Sequence, residues 1–355
     1  METHGADIYS ASKKSGYHEN EILDFSSNIN PLGIPKSVEE AAVNSIKYTN
    51  RYPDINSREL IDGISIFENV PQEYIFTSNG AAEAIYRISA CIKPKGALIT
   101  APSFSEYEQS IKLYDGEINY YYLKEANNFK VLDDITNYIN ERINLVFICN
   151  PNNPTGQLTE KNILEKILLK LKENKAFLVV DECFLNFSED YEKHSLVDLM
   201  NKYDNLIVLK AFTKIFAIPG IRLGYCMSSN SVLINKIKTA GPPWNVSTIA
   251  QAAGIAALKE KEYLKRTISY VKEERNYLID ELNKLNLKVL DSHANYILFK
   301  THVPEIKEKM LERKILIRSC CNYVNLGSEF YRIAVKTKEE NKLLIKNLKE
   351  VMEER

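Results

Sequence analysis

Residues 206–222 read LIVLKAFTKIFAIPGIR, an uninterrupted apolar run followed by basic and aromatic residues. A continuous apolar run predicts a strand that is buried on both faces, as in a parallel sheet covered by helices. Lys214 follows the strand between aromatic side chains, so we expect a partly desolvated amine with a lowered pKa, a nucleophile for a carbonyl group. Arg222 comes eight positions later and could hold a phosphate. The alternative is a solvated lysine at a strand end, which is the common case for lysine.

Three further apolar runs precede turns that carry polar residues or glycine. The runs and their turns are 74–77 before Ser78-Asn79-Gly80, 145–148 before Cys149-Asn150-Pro151, and 177–180 before Asp181-Glu182. Ligands of open α/β sheets bind at the carboxyl ends of the strands. The residues of these turns are therefore candidate ligand contacts.

The C-terminal third of the chain has a different pattern. Residues 246–285 repeat apolar positions at the helical period, residues 296–299 and 331–335 are strand candidates, and residues 339–353 form an amphipathic helix. We predict an α/β fold with two domains. The large domain, residues 35–262, has a mostly parallel sheet covered by helices, and a smaller α+β domain combines residues 1–34 and 263–355.

Composition argues against several classes of function. The 355 residues carry a net charge of -1, which supplies no electrostatic argument for a nucleic-acid or membrane partner. No apolar stretch approaches the roughly 20 residues that span a bilayer, and the polar N-terminus lacks signal-peptide features. The six cysteines have no CxxC spacing, so we expect reduced thiols, no metal site and a cytoplasmic protein. GxGxxG and GK[ST] motifs are absent, which argues against dinucleotide and Walker-type nucleotide binding.

Polar residues at the strand ends suggest a site for an anionic ligand with a cationic ring. Asp181 ends an apolar strand, where a carboxylate is costly unless a cation such as a pyridinium nitrogen pairs with it. The turn at 149–156 offers asparagine amides, and the small residues after Gly80 allow an anion to approach a helix N-terminus. Arg318 and Arg332 could bind carboxylate or phosphate. Taken singly, these features are equally explained by a helix cap, ordinary turns and surface salt bridges.

The order of these motifs along the chain resembles the class I and II aminotransferases. The resemblance covers essentially the whole chain and is carried by Asn153-Pro154-Thr155-Gly156, Asp181, and Thr213-Lys214 with Arg222. It implies an aspartate-aminotransferase-like fold with pyridoxal 5'-phosphate (PLP) as cofactor. Lys214 would hold this cofactor as a Schiff base, and Asp181 would pair with its pyridinium nitrogen.

The resemblance also implies the other contacts of the site. Contacts with the cofactor are expected from Ala81, Ala82, Phe104, Asn153, Asp181, Thr213, Lys214, Arg222 and Tyr52. Asn153 would donate to the ring oxygen, Phe104 would stack on the ring, and the backbone of 81–82 would bind the phosphate with Thr213 and Arg222. Tyr52 would reach that phosphate from a neighbouring subunit, which implies a homodimer with shared active sites. Contacts with a small phosphorylated amino-acid substrate are expected from Arg332 at its carboxylate, and from Arg318, Asn30 and His4 at its phosphate.

Within the family, several segments resemble the branch whose members decarboxylate L-threonine O-phosphate for cobalamin biosynthesis. They are His4-Gly5 and the segments 24–33, 212–220, 242–246 and 315–335. The implied reaction yields aminopropanol O-phosphate. The alternative within the family is amino transfer between histidinol phosphate and 2-oxoglutarate. A different class, a non-catalytic sensor module of a regulator, is disfavoured by the presence of Lys214 and by the lack of a helix-turn-helix extension or basic patch.

Two positions depart from the pattern of the family. Phe184 stands where many relatives have a tyrosine that donates to the ring hydroxyl, and Ala211 stands where relatives often have serine. A lost hydrogen bond to a charged group costs roughly 1.5–3 kcal/mol. We therefore expect these positions to affect cofactor affinity and to leave the chemistry intact.

Overall fold

The structure is a computed structural model that describes residues 5–354. Its helices, α1 to α13, are Ile8–Ser15, Lys36–Ser45, Arg58–Glu68, Gly80–Ile92, Ser105–Lys112, Lys161–Glu173, Tyr191–His194, Phe212–Ile215, Ser231–Thr239, Thr248–Ala257, Lys261–Lys284, Ile306–Glu312 and Lys338–Glu353. Its strands, β1 to β13, are Leu23–Asp24, Ile75–Ser78, Gly96–Ala101, Glu117–Tyr122, Leu145–Cys149, Phe177–Asp181, Leu206–Ala211, Gly224–Met227, Lys288–Val289, Tyr296–Lys300, Ile315–Leu316, Arg318–Ser319 and Phe330–Ala334. His4, a predicted substrate contact, lies outside the described residues.

A seven-stranded sheet in the order β2-β8-β7-β6-β5-β3-β4 forms the centre of the molecule. The inner pairs β6–β7, β5–β6 and β3–β5 are parallel, as is β3–β4, whereas β8 runs antiparallel to β7 and β2. The register pairs Asp181 with Cys149 on one side and with Leu209 on the other. The strands that precede the candidate site therefore end at one edge of the sheet, and the predicted mostly parallel sheet is confirmed.

The apolar runs form this sheet because both of its faces are covered. Along β6, Leu178 and Val180 pack into one apolar cluster, whereas Val179 packs into a second cluster on the other face. Successive side chains of a strand point to opposite faces, so a run that is apolar throughout fits only a sheet buried on both sides. Each fully buried side chain of this size contributes roughly 1.5–3 kcal/mol.

A second, four-stranded sheet in the order β12-β13-β10-β9 lies in the C-terminal part of the chain. α13 begins with a reciprocal cap, in which Thr337 accepts from the Glu340 N–H and Glu340 accepts from the Thr337 N–H at 3.0 Å. The predicted helical region 246–285 consists of two helices, α10 and α11. The first packs on α2 and α3, whereas the second packs on α13 and β9. The domain boundaries at residues 34–35 and 262–263 stay a prediction.

None of the helices between residues 5 and 354 combines the length and the apolar character that a bilayer crossing requires. The longest, α11, has 24 residues and carries charged side chains along its length.

Candidate active site

A cavity of about 300 Å³ opens at the edge of the large sheet where β5, β6 and β7 end. This size falls at the lower end of the range for small-molecule sites. The predicted site residues that line the cavity are Ala81, Ala82, Phe104, Asn153, Asp181, Thr213, Lys214, Arg222 and Arg332. The fold therefore brings side chains from both sheets to one space.

Lys214 lies in α8, the single helical turn that follows β7, and lines the cavity. Burial lowers the pKa of its amine to about 8, and the positive charges of Arg332 and Arg222 act in the same direction. At pH 7 roughly a tenth of such amines is neutral, far more than for an exposed lysine. The position therefore supplies an amine that can attack a carbonyl carbon.

Asp181 ends β6 and is buried, with its carboxylate at the cavity. The Tyr107 hydroxyl donates to Oδ2 at 2.7 Å, and the Cys183 backbone N–H donates to Oδ1 at 2.9 Å. Both donors are neutral, so they orient the carboxylate without neutralising its charge. Buried charges require a partner, and the carboxylate is therefore suited to a cationic group bound in the cavity.

Asn153 and Arg332 contact each other across the cavity although they are far apart in sequence. Nη1 of Arg332 donates to Oδ1 of Asn153 at 2.5 Å, and the Tyr323 hydroxyl lies 3.4 Å from the same oxygen. Because donors occupy Oδ1, the amide NH2 of Asn153 is left to donate to a ligand. Nη2 of Arg332 donates to the Ser26 carbonyl at 2.8 Å, whereas its buried Nε has no partner within residues 5–354. A buried guanidinium that is held by neutral oxygens is suited to an anion.

The N-terminus of α4 forms an anion-binding cradle. Gly80 has a φ of +72°, and a Cβ at this position would lie 2.5 Å from Nη2 of Arg222. A Cβ at Gly224 would likewise lie 2.6 Å from the backbone nitrogen of Ala81. Glycine therefore permits the guanidinium and the first N–H groups of a 13-residue helix to face the same space.

These features together fit the cofactor that the sequence implies. A low-pKa amine, a buried carboxylate, an amide donor and an anion cradle match the aldehyde, ring nitrogen, ring oxygen and phosphate of PLP. Phe184 and Ala211 also line the cavity, so both departures from the family pattern lie at the site. Phe184 packs edge-to-face on Tyr296, with 5.0 Å between the ring centres.

Asn30 does not line the cavity, and its predicted contact with the substrate phosphate is corrected here. Its amide NH2 donates to the Ile215 carbonyl at 2.7 Å and to the Thr267 hydroxyl at 2.8 Å, and its oxygen accepts from the Leu32 N–H. Asn28 lines the cavity instead, with a buried oxygen that has no partner among the described residues. The two asparagines stand two positions apart, and the sequence carries no signal that separates them.

Arg318 and Tyr52 lie outside the lining of the cavity. Arg318 is 4% exposed, sits directly opposite Arg332 in the β12–β13 pair, and donates to Asn322, which does line the cavity. Tyr52 is 78% exposed and stacks on Trp244 with 4.6 Å between the ring centres. The predicted roles of both residues stay predictions, as does the position of Tyr52 in a neighbouring subunit's site.

Several residues that line the cavity were not among the predicted site residues. Tyr107, Tyr323 and Cys183 line the cavity, as do residues 26–28. Tyr107 could have been found, because it follows Phe104 by one helical turn and so shares its face. Tyr323 lies in a loop between β12 and β13, where no periodicity indicates the direction of a side chain.

The sequence matches the model of the family described as "Aminotransferase class I and II" over residues 20–348. Threonine-phosphate decarboxylase from Salmonella typhimurium is 33% identical to the chain, over 98% of the chain and 96% of that protein. A putative threonine-phosphate decarboxylase from Caldanaerobacter subterraneus is 39% identical, over 92% of the chain and 90% of that protein. The crystal structure of histidinol-phosphate aminotransferase from Clostridium acetobutylicum is similar with a TM-score of 0.88 and 34% identity, over 94% of the chain and all of that structure.

Proposed function

This chain belongs to the aminotransferase class I and II family, and we propose that it decarboxylates L-threonine O-phosphate to aminopropanol O-phosphate in cobalamin biosynthesis. PLP is the cofactor of the family. The observation that carries the proposal is the buried guanidinium of Arg332, which lines the same cavity as Lys214 and is held by the Ser26 carbonyl and the Asn153 oxygen. A guanidinium held by neutral oxygens is suited to the carboxylate of an amino-acid substrate.

PLP, when bound, withdraws electrons from the bond that breaks at Cα of the substrate. Lys214 would hold the cofactor through its amine and, once released by the substrate amine, would return a proton to Cα. Asp181, whose carboxylate accepts from the neutral Tyr107 hydroxyl and Cys183 N–H, would pair with the ring nitrogen. Ala81, Ala82 and Arg222 would hold the phosphate of the cofactor in the cradle.

Arg332 determines which bond at Cα is broken. Its guanidinium is fixed by the Ser26 carbonyl and the Asn153 oxygen, so a carboxylate bound to it has a defined direction. Decarboxylation would require the bond from Cα to the carboxylate to be the one that the cofactor weakens, whereas amino transfer would require the bond from Cα to hydrogen. Misplacement by about an ångström changes such rates by roughly 10²-fold, so small shifts of Arg332 separate the two reactions.

The second candidate is amino transfer between histidinol phosphate and 2-oxoglutarate. It is favoured by the TM-score of 0.88 to a histidinol-phosphate aminotransferase at 34% identity. The same cavity residues would serve it, because amino transfer also needs the lysine, the aspartate and a carboxylate anchor.

Incubation of the holoenzyme with each substrate tests the two candidates. We expect release of CO2 from L-threonine O-phosphate without any keto acid, and no glutamate from histidinol phosphate with 2-oxoglutarate. The matched control is L-threonine, which lacks the phosphate group of the substrate and should not be turned over. Product that forms only when 2-oxoglutarate is added would overturn the decarboxylase in favour of the aminotransferase.

We further propose that the protein is a homodimer in which Tyr52 completes the site of the partner subunit. Its ring is exposed and lies outside the cavity of its own chain. Exposed apolar residues are frequent around it in the sequence, namely Ile34, Val43, Ile46, Tyr48, Ile55 and Ile66. Exposed apolar side chains favour association when a partner subunit covers them. Sedimentation of a fully active monomer would exclude the dimer.

A further inference from the structure

We propose that Tyr107 is a positioning residue, which acts through Asp181 to keep the shared proton of the Asp181–cofactor pair on the ring nitrogen. The inference rests on the proposed role of Asp181 as the partner of that nitrogen. It concerns a residue that neither the motifs nor the implied family contacts assign.

Burial and ring packing fix the position of the Tyr107 side chain and therefore of its hydroxyl. Its side chain, on α5, has no exposed surface. Its ring stacks on Phe147 with 4.8 Å between the ring centres and an angle of 7°, and meets Phe104 edge-on at 5.7 Å. From this position the hydroxyl reaches Oδ2 of Asp181 at 2.7 Å.

The hydroxyl is a donor and not a second charge. Burial, followed by the neighbouring negative charge of Asp181, raises the pKa of Tyr107 well above its usual value. The phenol therefore stays protonated and donates to the carboxylate. Since the Cys183 N–H already donates to Oδ1, each carboxylate oxygen receives a neutral donor.

Two arrangements of one proton are possible between the aspartate and a ring nitrogen. In the charged pair the proton is on nitrogen and the carboxylate is anionic, whereas in the neutral pair the proton has moved to the carboxylate oxygen. No proton is gained or lost between them. Donation from Tyr107 stabilises the anion more than the neutral acid, because hydrogen bonds to charged acceptors are the stronger ones. Tyr107 therefore favours the charged pair, and the protonated ring is the better acceptor of electrons.

The variant Tyr107→Phe tests this, since phenylalanine keeps the stacking on Phe147 and removes only the hydroxyl. With the holoenzyme loaded with PLP labelled with ¹⁵N in the ring, we expect the nitrogen resonance to move from the pyridinium position toward neutral pyridine. Turnover should fall roughly ten- to a hundredfold in kcat with KM little changed, as for one lost bond to a charged group. An unmoved resonance in a folded, cofactor-loaded variant would overturn the inference.

A matched control is Tyr203→Phe, which removes another buried tyrosine hydroxyl that donates to a carboxylate, Glu165 at 2.8 Å, outside the cavity. Its resonance and kcat should equal those of the wild type. If Tyr107→Phe fails to fold, a ring-fluorinated tyrosine placed at position 107 replaces it. This stronger donor should hold the resonance at the pyridinium position at least as firmly as the wild type, and movement toward pyridine would contradict the inference.

The variant Asp181→Asn separates the two hypotheses. If it leaves the resonance at the pyridinium position, the proposed pairing of Asp181 with the ring nitrogen fails. If it moves the resonance while Tyr107→Phe does not, only the role of Tyr107 fails.

Discussion

Two lysines four positions apart, Lys210 in β7 and Lys214 in α8 directly after it, have opposite surroundings. Lys210 is buried with Nζ 2.8 Å from Oε2 of Glu68 and 3.6 Å from Oε2 of Glu182. Lys214 is also enclosed, but the effect of Arg332 and Arg222 on its pKa exceeds the opposite effect of Asp24. Burial alone would lower the pKa of both amines, yet the two carboxylates raise that of Lys210 above its usual value, while burial and the arginines lower that of Lys214 to about 8. Burial makes a lysine reactive only when its neighbours do not compensate the charge.

The carboxylates of Asp181 and Glu182 differ in their surroundings in the same way as the two lysines. Asp181 lies at the cavity and receives neutral donors, whereas Glu182 lies with Lys210 and accepts from the Ser195 hydroxyl at 2.7 Å and the Leu196 N–H at 2.8 Å. The two residues are adjacent in the chain, but their side chains have different partners. Asp181 is available to a cationic ligand in the cavity, whereas the charge of Glu182 is already compensated by Lys210.

Replacement of Lys214 should have the largest effect. In Lys214→Ala we expect complete loss of the absorbance band of covalently bound PLP and of any borohydride-reducible adduct, because no other cavity-lining residue between positions 5 and 354 carries a primary amine. Lys210→Arg, which keeps the cation beside Glu68 and Glu182, should retain the band. A reducible adduct found by mass spectrometry on another lysine of the Lys214→Ala protein would contradict the assignment.

Replacement of Lys210 should act on stability. Lys210→Met leaves two buried carboxylates without their cation, a loss that costs about 3–5 kcal/mol when one partner of a buried pair is removed. We expect this decrease in the free energy of unfolding, measured by urea denaturation of the cofactor-free protein. Lys214→Met, in contrast, removes a poorly compensated cation and should leave the free energy of unfolding unchanged or higher. Equal losses in both variants would show that the two surroundings do not differ as described.

The pH dependence of cofactor attachment should show the smallest effect. Only the neutral amine attacks the aldehyde, so the rate rises with pH until the amine is fully deprotonated. With a pKa of about 8 for Lys214, the rate should rise about tenfold from pH 7 to a plateau above about pH 9. Stopped-flow absorbance measures this rate. A rate that still rises steeply at pH 10 would indicate an amine with the ordinary pKa of lysine.

Much of the fold and the centre of the site were predictable from local pattern. The apolar runs that precede Asp181 and Lys214 are long enough to predict buried strands, and a parallel sheet brings strand ends to one edge. The pair Asn153–Arg332 was not predictable as a contact, since its partners are 179 residues apart, one in the turn after β5 and the other on β13. The choice between Asn28 and Asn30 also depended on the fold, because the two differ only in what the rest of the chain brings next to them.

The amino-acid sequence by itself therefore determined the buried strands, their order of motifs, and the residue types available at the strand ends, since periodicity and apolar content act over short distances. Only the tertiary structure decided which of two lysines has a lowered pKa and which hydroxyl orients Asp181. Those properties are set by charges and donors from distant segments, such as Arg332 and Glu68, and the strength of an electrostatic or hydrogen-bonding contact depends on distance in space.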